Sequence, residues 1–185
     1  MRTLNAFESV TLDGYFAGPG GDISWAHDAR PDKEWTDFVS GNAQGGGELL
    51  MGRVTYEMMA AYWPTPQAKA AMPEVARGMN AMTKHVASRT LKNPQWENTK
   101  VLEGDLFSAV RALKQAPGKG LTILGSGAIV AQLAGEGLID QFQLVVIPVV
   151  IGEGRTLFEG VNAKLKLTTS RTFKNGNVVL TYAPA

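Results

Sequence analysis

Short apolar, β-branched runs recur along this chain, and stretches with helical periodicity separate them. The runs at 3–9, 48–51, 85–88, 100–102, 121–124, 142–150, 165–173 and 178–182 have the length and residue types of strands. Pro31-Asp32 opens a helix on which Trp35, Phe38, Val39 and Asn42 share one face at i, i+3, i+4, i+7. A second helix follows Arg53 and runs to about Ala61. A third starts near Asp105 with Leu106, Val110 and Leu113 as its apolar stripe, and a fourth begins just after Gly127. The Ala- and Met-rich stretch 64–82, interrupted by proline, predicts an irregular helical excursion over the sheet. Alternation of this kind implies an α/β fold with a mainly parallel sheet. Asn175-Gly176-Asn177 lies between the last two runs, and Asn-Gly is a hairpin signal because both residues tolerate positive φ. The chain should therefore end in an antiparallel hairpin added to the parallel strands.

Composition narrows the chemistry. With 185 residues the chain reads as one domain spanning 1–185. A net charge of +1 gives no global attraction to nucleic acid or an anionic membrane surface, so any anion site must be built locally. No cysteine is present, which removes disulfides, thiolate metal sites and cysteine nucleophiles, and no metal is expected. The opening MRTLNAFESVTLDG lacks the apolar core of a signal peptide, and the longest apolar run, 144–151, is far short of the ~20 residues of a spanning helix. These features lead to the expectation of a soluble, cytoplasmic protein acting on a small molecule, with neither nucleic acid nor membrane as partner.

The most suggestive segment is LTILGSGAIVAQLAGEGLID, where a strand, three small residues and a helix follow one another. Backbone N–H groups and the positive helix end of such a turn can face a pyrophosphate. The segment is not a P-loop, because no Gly-Lys-Ser/Thr follows. Nor is it a Rossmann fingerprint, because Val130 stands where the third glycine belongs and no acid closes the next strand. Plain turn chemistry accounts for the glycines equally well when they are read alone. Two other strand ends add weight: Met51-Gly52-Arg53-Val54-Thr55 and Ser88-Arg89-Thr90 each place a guanidinium and a hydroxyl where ligands sit in open α/β sheets.

These residues resemble a known family. LLMGRVTYEMM is similar to the Gly-Arg-x-Thr segment of dihydrofolate reductases. KHVASRTL, LGSGAIVAQL and IPVVIGEGRTLF resemble the reductase domain of bacterial bifunctional riboflavin biosynthesis proteins and its stand-alone relatives. The opening SVTLDGYFAG, with Trp25 after a glycine-rich loop, resembles the family's first strand and mobile loop, so the resemblance runs from about residue 2 to residue 183. It implies a dihydrofolate-reductase-like, mixed, mainly parallel eight-stranded sheet flanked by helices, with NADPH across the carboxyl ends of the strands. Carried over, Gly52, Arg53 and Thr55 meet the cofactor phosphates, and Ser88, Arg89 and Thr90 surround the adenosine ribose, where Arg89 favours a 2′-phosphate. Gly125, Ser126, Gly127, Ala128 and Ile129 cradle the pyrophosphate and line the nicotinamide ribose. The zinc deaminase chemistry of the bifunctional relatives is excluded, since no cysteine and no H-x-E motif occurs.

The substrate side is sparser. The family pattern expects a carboxylate on the first helix. Glu34, four residues before Phe38, is preferred, with Asp37 as backup; both also suit a solvated helix face. Asp13 orients a substrate beside the nicotinamide or simply forms the Asp-Gly turn. Trp25, Phe38, Pro148 and Gly152 are candidate substrate contacts, although Trp25 also fits a core plug and Gly152 a bend after a strand. His27 and His85 are isolated, and Arg155 is the only nearby cation for a substrate phosphate. Two functions follow as expectations: an NADPH-dependent reductase delivering hydride to a pterin-like, riboflavin-precursor-like or other small C=N or C=O substrate, or a protein that binds or senses NADPH without turnover. The resemblance also implies a homodimer.

Overall fold

A computed structural model describes residues 1–27 and 31–185. Eight strands form one sheet in the order β5-β4-β3-β6-β1-β7-β10-β9. They are β1 (Leu4–Thr11), β3 (Glu48–Gly52), β4 (Lys84–Ala87), β5 (Thr99–Leu102), β6 (Leu121–Leu124), β7 (Gln141–Ile147), β9 (Leu165–Thr172) and β10 (Val178–Pro184). From β5 to β7 every pairing is parallel, and β10 and β9 are added antiparallel. A separate ribbon pairs β2 (Tyr15–Ala17) with β8 (Arg155–Thr156). These two strands are too short to leave a periodic pattern in sequence.

Period-2 alternation divides the core between the sheet's faces. Leu50, Ile123, Ala6 and Phe142 form one cross-strand row, and they meet α5 (Leu106–Gln115) and α6 (Gly127–Gly135) through Val110, Ile129, Val130 and Leu133. Leu49, Met51 and Val86 point the other way. They meet α1 (Lys33–Gln44), α2 (Arg53–Tyr62) and α4 (Pro73–Ala81) through Ala43, Tyr56, Val75 and Met79. The expected irregular excursion resolves into α3 (Pro66–Ala71) and α4, each opened by a proline whose missing N–H costs nothing in a first helical turn. Asp32 caps α1 by accepting from the Glu34 and Trp35 amides at 2.9 and 3.2 Å.

Two boundaries differ from the sequence reading. The strand expected over 142–150 stops at Ile147, because Pro148 has no N–H for the ladder. In the hairpin only Gly176 takes positive φ (94°), not both residues of Asn-Gly. Its N–H donates to the Phe173 carbonyl at 3.0 Å, the arrangement of a three-residue loop closed by a glycine bulge. Among the described residues no helix is long and apolar enough to cross a membrane.

Candidate functional site

The chain leaves β1 through α1 towards β3 on one face and leaves β6 through α6 towards β7 on the other. Strands β6 and β1 therefore flank the point where the winding reverses, which is where open α/β sheets leave a crevice beyond their carboxyl ends. Because β3 and β6 are neighbours, the starts of α2 and α6 converge there. A side-chain clamp joins them: the Ser126 hydroxyl oxygen accepts the Gly52 N–H at 2.8 Å, and the hydroxyl donates to Thr55 Oγ1 at 2.7 Å. Gly125 (φ 61°) and Ser126 (φ 74°, ψ 55°) are both left-handed, a conformation that costs a serine about 1–2 kcal/mol. Ile129 N–H is already given to the Ser126 carbonyl at 2.7 Å, whereas Gly127 and Ala128 open the helix and their N–H groups have no acceptor within it.

Phe16, on the β2 ribbon, closes this corner. A Cβ on Gly127 would stand 2.6 Å from its ring, so the glycine is required by space. Gly127→Ala should cost about 1–3 kcal/mol in chemical denaturation, because the ring must swing off the loop. A variant as stable as the parent would show that Phe16 is not packed there.

The other predicted cofactor residues lie on this rim with different partners. Arg53 forms a two-oxygen ion pair with Glu57 one turn along α2, at 2.9 and 2.8 Å. Ser88 Oγ accepts the Thr90 and Leu91 amides at 3.1 and 2.9 Å, so it shapes its own loop, while Arg89 and Thr90 are exposed. That loop is anchored from behind. The Trp96 N–H donates to Tyr56 Oη at 3.1 Å, and the fully buried Lys84 donates to the Asn80 and Glu97 carbonyls and lies 4.3 Å over the Trp96 ring. Ile129 keeps its side chain in the core, so only its backbone faces the loop.

The predicted acids are committed elsewhere. Glu34 pairs with Arg171 on β9 at 2.6 Å. Three strands lie between β9 and β6, so the Glu34 pair and the glycine loop are tied to lines about 19 Å apart at ~4.8 Å per strand. Asp37 pairs with Lys33 at 2.6 Å on the exposed side of α1. Asp13 accepts the Gly152 and Ile151 amides at 2.8 and 3.2 Å, tying the first loop to the turn after β7. The Thr11 hydroxyl, then the Gly152 and Ile151 amides, hold its carboxyl below the usual range. It is thus an ionised loop clamp at neutral pH, with Gly152 as its partner.

Phe38 lies in an aromatic cluster 5.5 Å from Trp35, 5.4 Å from Phe173 and 6.4 Å from Phe7. Pro148 packs under the hairpin turn, where a Cβ on Gly176 would stand 2.9 Å from its Cγ. Trp25 is half-buried and donates its indole N–H to the Asp22 carbonyl at 3.2 Å. His27 is exposed. His85 is buried at the opposite end of the sheet, 2.6 Å from Glu48, which Arg2 also pairs with at 2.7 Å. Arg155 lies 5.0 Å over the Phe16 ring, at the edge of the crevice.

A model of the RibD C-terminal domain matches residues 2–179. The chain belongs to this family. The Bacillus subtilis protein YyaP is 31% identical over 176 residues, covering 94% of this chain and 90% of its own. YwjB of the same organism is 28% identical over 180 residues, covering 96% and 95%. Among solved structures, a putative riboflavin biosynthesis protein from Shewanella sp. PV-4 superposes with a TM-score of 0.75 at 22% identity, covering 99% of both chains. A pyrimidine reductase-like protein from Corynebacterium diphtheriae gives 0.67 at 14%, covering 100% of this chain and 92% of that one. Both likenesses show the dihydrofolate-reductase-like fold expected from the sequence.

One residue of this RibD-type domain escaped the sequence reading. Glu8, in the middle of β1, is 4% exposed, and its Oε1 has no hydrogen-bond partner among the described residues. Burial raises its pKa from 4.5 to about 8. The only signal in sequence was a carboxylate at an inward position of a strand that otherwise reads Leu4, Ala6, Val10 on that face. The donor set of the crevice, free helix-start amides beside a close-packed glycine corner, fits an anionic diphosphate. Among the described residues no cluster of His, Asp or Glu suits a metal ion.

Proposed function

We propose that this protein is an NADPH-dependent reductase of a small C=N or C=O substrate, within a pterin-like or riboflavin-precursor-like class. The observation that carries this reading is the Ser126 clamp, which brings two helix starts together at the switch point of a reductase-family sheet. The Gly127 and Ala128 amides, with those opening α2, would hold the diphosphate. Arg53 would exchange its exposed pairing with Glu57, worth about 0.3–0.5 kcal/mol, for a phosphate at little cost. Arg89 is exposed beyond β4 and would meet a 2′-phosphate. NADPH supplies a hydride to the substrate carbon; the chain's part is orientation and the exclusion of water.

The test is titration of the protein with NADPH and NADH, followed by fluorescence and thermal shift. Selective NADPH binding is expected. Arg89→Ala should weaken it about tenfold, the worth of a charge-assisted contact, while leaving NADH binding unchanged. Binding of neither nucleotide would overturn the reading.

A second reading, binding without turnover, is favoured by one observation: Glu34, Asp37 and Asp13 are each engaged by a cation or by backbone amides. Loss of the reduced-nicotinamide absorbance with any pterin, flavin-precursor or carbonyl substrate would decide for the enzyme.

A further inference from the structure

The β1–β6 ladder ends at Phe7↔Leu124, whereas β1 stays paired with β7 as far as Thr11↔Ile147. The two strands at the switch point therefore part at the next pair of residues, Glu8 and Gly125. Glu8 lies on the face of β1 that carries Ala6 and Val10, whose cluster includes Ile129 of α6 and is capped by Phe16. On β7 its register partner is Leu144. Its walls are thus apolar on each side, and among the described residues no cation pairs with it. A carboxyl in such a place is uncharged unless something brings a partner. It then offers one O–H donor and one carbonyl acceptor side by side.

A dinucleotide whose diphosphate rests on the Gly127 and Ala128 amides carries its second base one ribose further on. The break in the sheet beside that helix start is the parting of β1 and β6. Nicotinamide differs from the other bases of redox nucleotides in its primary carboxamide, which has one carbonyl and one NH2 group. A carboxylic acid and a primary amide pair through two parallel hydrogen bonds. We propose that the Glu8 carboxyl is the group that grips the nicotinamide carboxamide, fixing which face of the ring is presented to the substrate. The inference rests on the reading of the site as a nicotinamide-nucleotide site. It gives the unpartnered Oε1 a ligand, and it explains why an otherwise apolar strand face carries a glutamate.

Dissociation constants of the wild-type protein, Glu8→Gln and Glu8→Leu decide it, measured with three probes. The probes are NADPH, its 3-acetylpyridine analogue, in which a methyl ketone replaces the carboxamide, and 2′-phospho-ADP-ribose, which lacks the ring. Glu8→Leu should weaken NADPH roughly tenfold or more, the loss of a buried hydrogen-bonded pair, and leave 2′-phospho-ADP-ribose unchanged. Glu8→Gln, still a donor and an acceptor, should stay within about threefold of the parent for NADPH. The acetylpyridine analogue keeps the carbonyl acceptor but lacks the NH2 donor, so it should bind the wild type more weakly than NADPH does and lose less than NADPH in Glu8→Leu. Unchanged NADPH binding by Glu8→Leu overturns the inference. So does equal loss of NADPH and 2′-phospho-ADP-ribose in either variant, which assigns Glu8 to the fold alone. Failure of the wild type to bind either ligand instead overturns the nucleotide reading itself.

Discussion

Replacing Glu8 with glutamine should make the protein markedly more stable at pH 9 while leaving its stability at pH 4.5 nearly unchanged. In the folded chain Glu8 keeps its proton up to about pH 8, whereas an unfolded glutamate loses it near 4.5. Between those values the folded state binds more protons than the unfolded state, so stability falls as pH rises through the window. Below it both states are protonated and nothing is lost; above it the loss is complete. At ~1.36 kcal/mol per unit the upper bound is on the order of 5 kcal/mol, a large share of a total that is typically ~5–15 kcal/mol. Glutamine keeps the shape and removes the ionisation. Urea melts of parent and variant at pH 5, 7 and 9 should therefore diverge with rising pH, the variant being the more stable. Parallel curves would mean that Glu8 ionises in the fold and is not held dry.

Gly78→Ala should lower the melting temperature by about 8 °C. Helix propensity alone says the opposite, since alanine is favoured over glycine in a helix by about 1 kcal/mol. Packing decides the sign. Gly78 lies where α4 crosses α1, and a Cβ there would stand 2.3 Å from the Ala43 carbonyl oxygen and 2.8 Å from its carbon. These are backbone atoms, so no side chain can turn away, and the two helices must separate. Parting them strains the cluster of Ala43, Val75 and Met79 over β3. A net cost of about 3 kcal/mol is expected, which for a chain of this length corresponds to the shift given above. Gly41 on α1 is the control: a Cβ there meets nothing within 4 Å, so Gly41→Ala should stabilise by up to ~1 kcal/mol. If both variants gain stability, the α1–α4 contact is looser than described.

Much of the architecture was legible because it is written locally. Apolar residues at period 2, prolines at helix starts, the Asp32 and Asp105 caps and the glycine turns act within a few residues of one another, so all eight main strands and the principal helices could be placed before the fold was known. The convergence of three strand ends followed from the α/β pattern together with the family resemblance. Where the sequence reading went astray at element ends, a single atom decided: the N–H that Pro148 lacks, or the one positive φ of Gly176. The ribbon of β2 and β8 left no pattern, because two or three residues carry no period.

The sequence by itself determined the sheet, its order of elements and the glycine turn between β6 and α6. The tertiary structure alone decided which polar groups are free to act. Ser126 reaches Gly52 and Thr55 across more than seventy residues, and Glu34 reaches Arg171 across 137. Each was read as a ligand or an acid in its own right, and each is already engaged by a distant partner. Glu8 is the converse case, a carboxylate in a strand that folding encloses beside an apolar cluster, with its Oε1 unpartnered among the described residues. The physical reason is the same throughout. Secondary structure follows from neighbours in sequence, whereas the charge, reach and hydration of a side chain are set by whatever the fold brings against it.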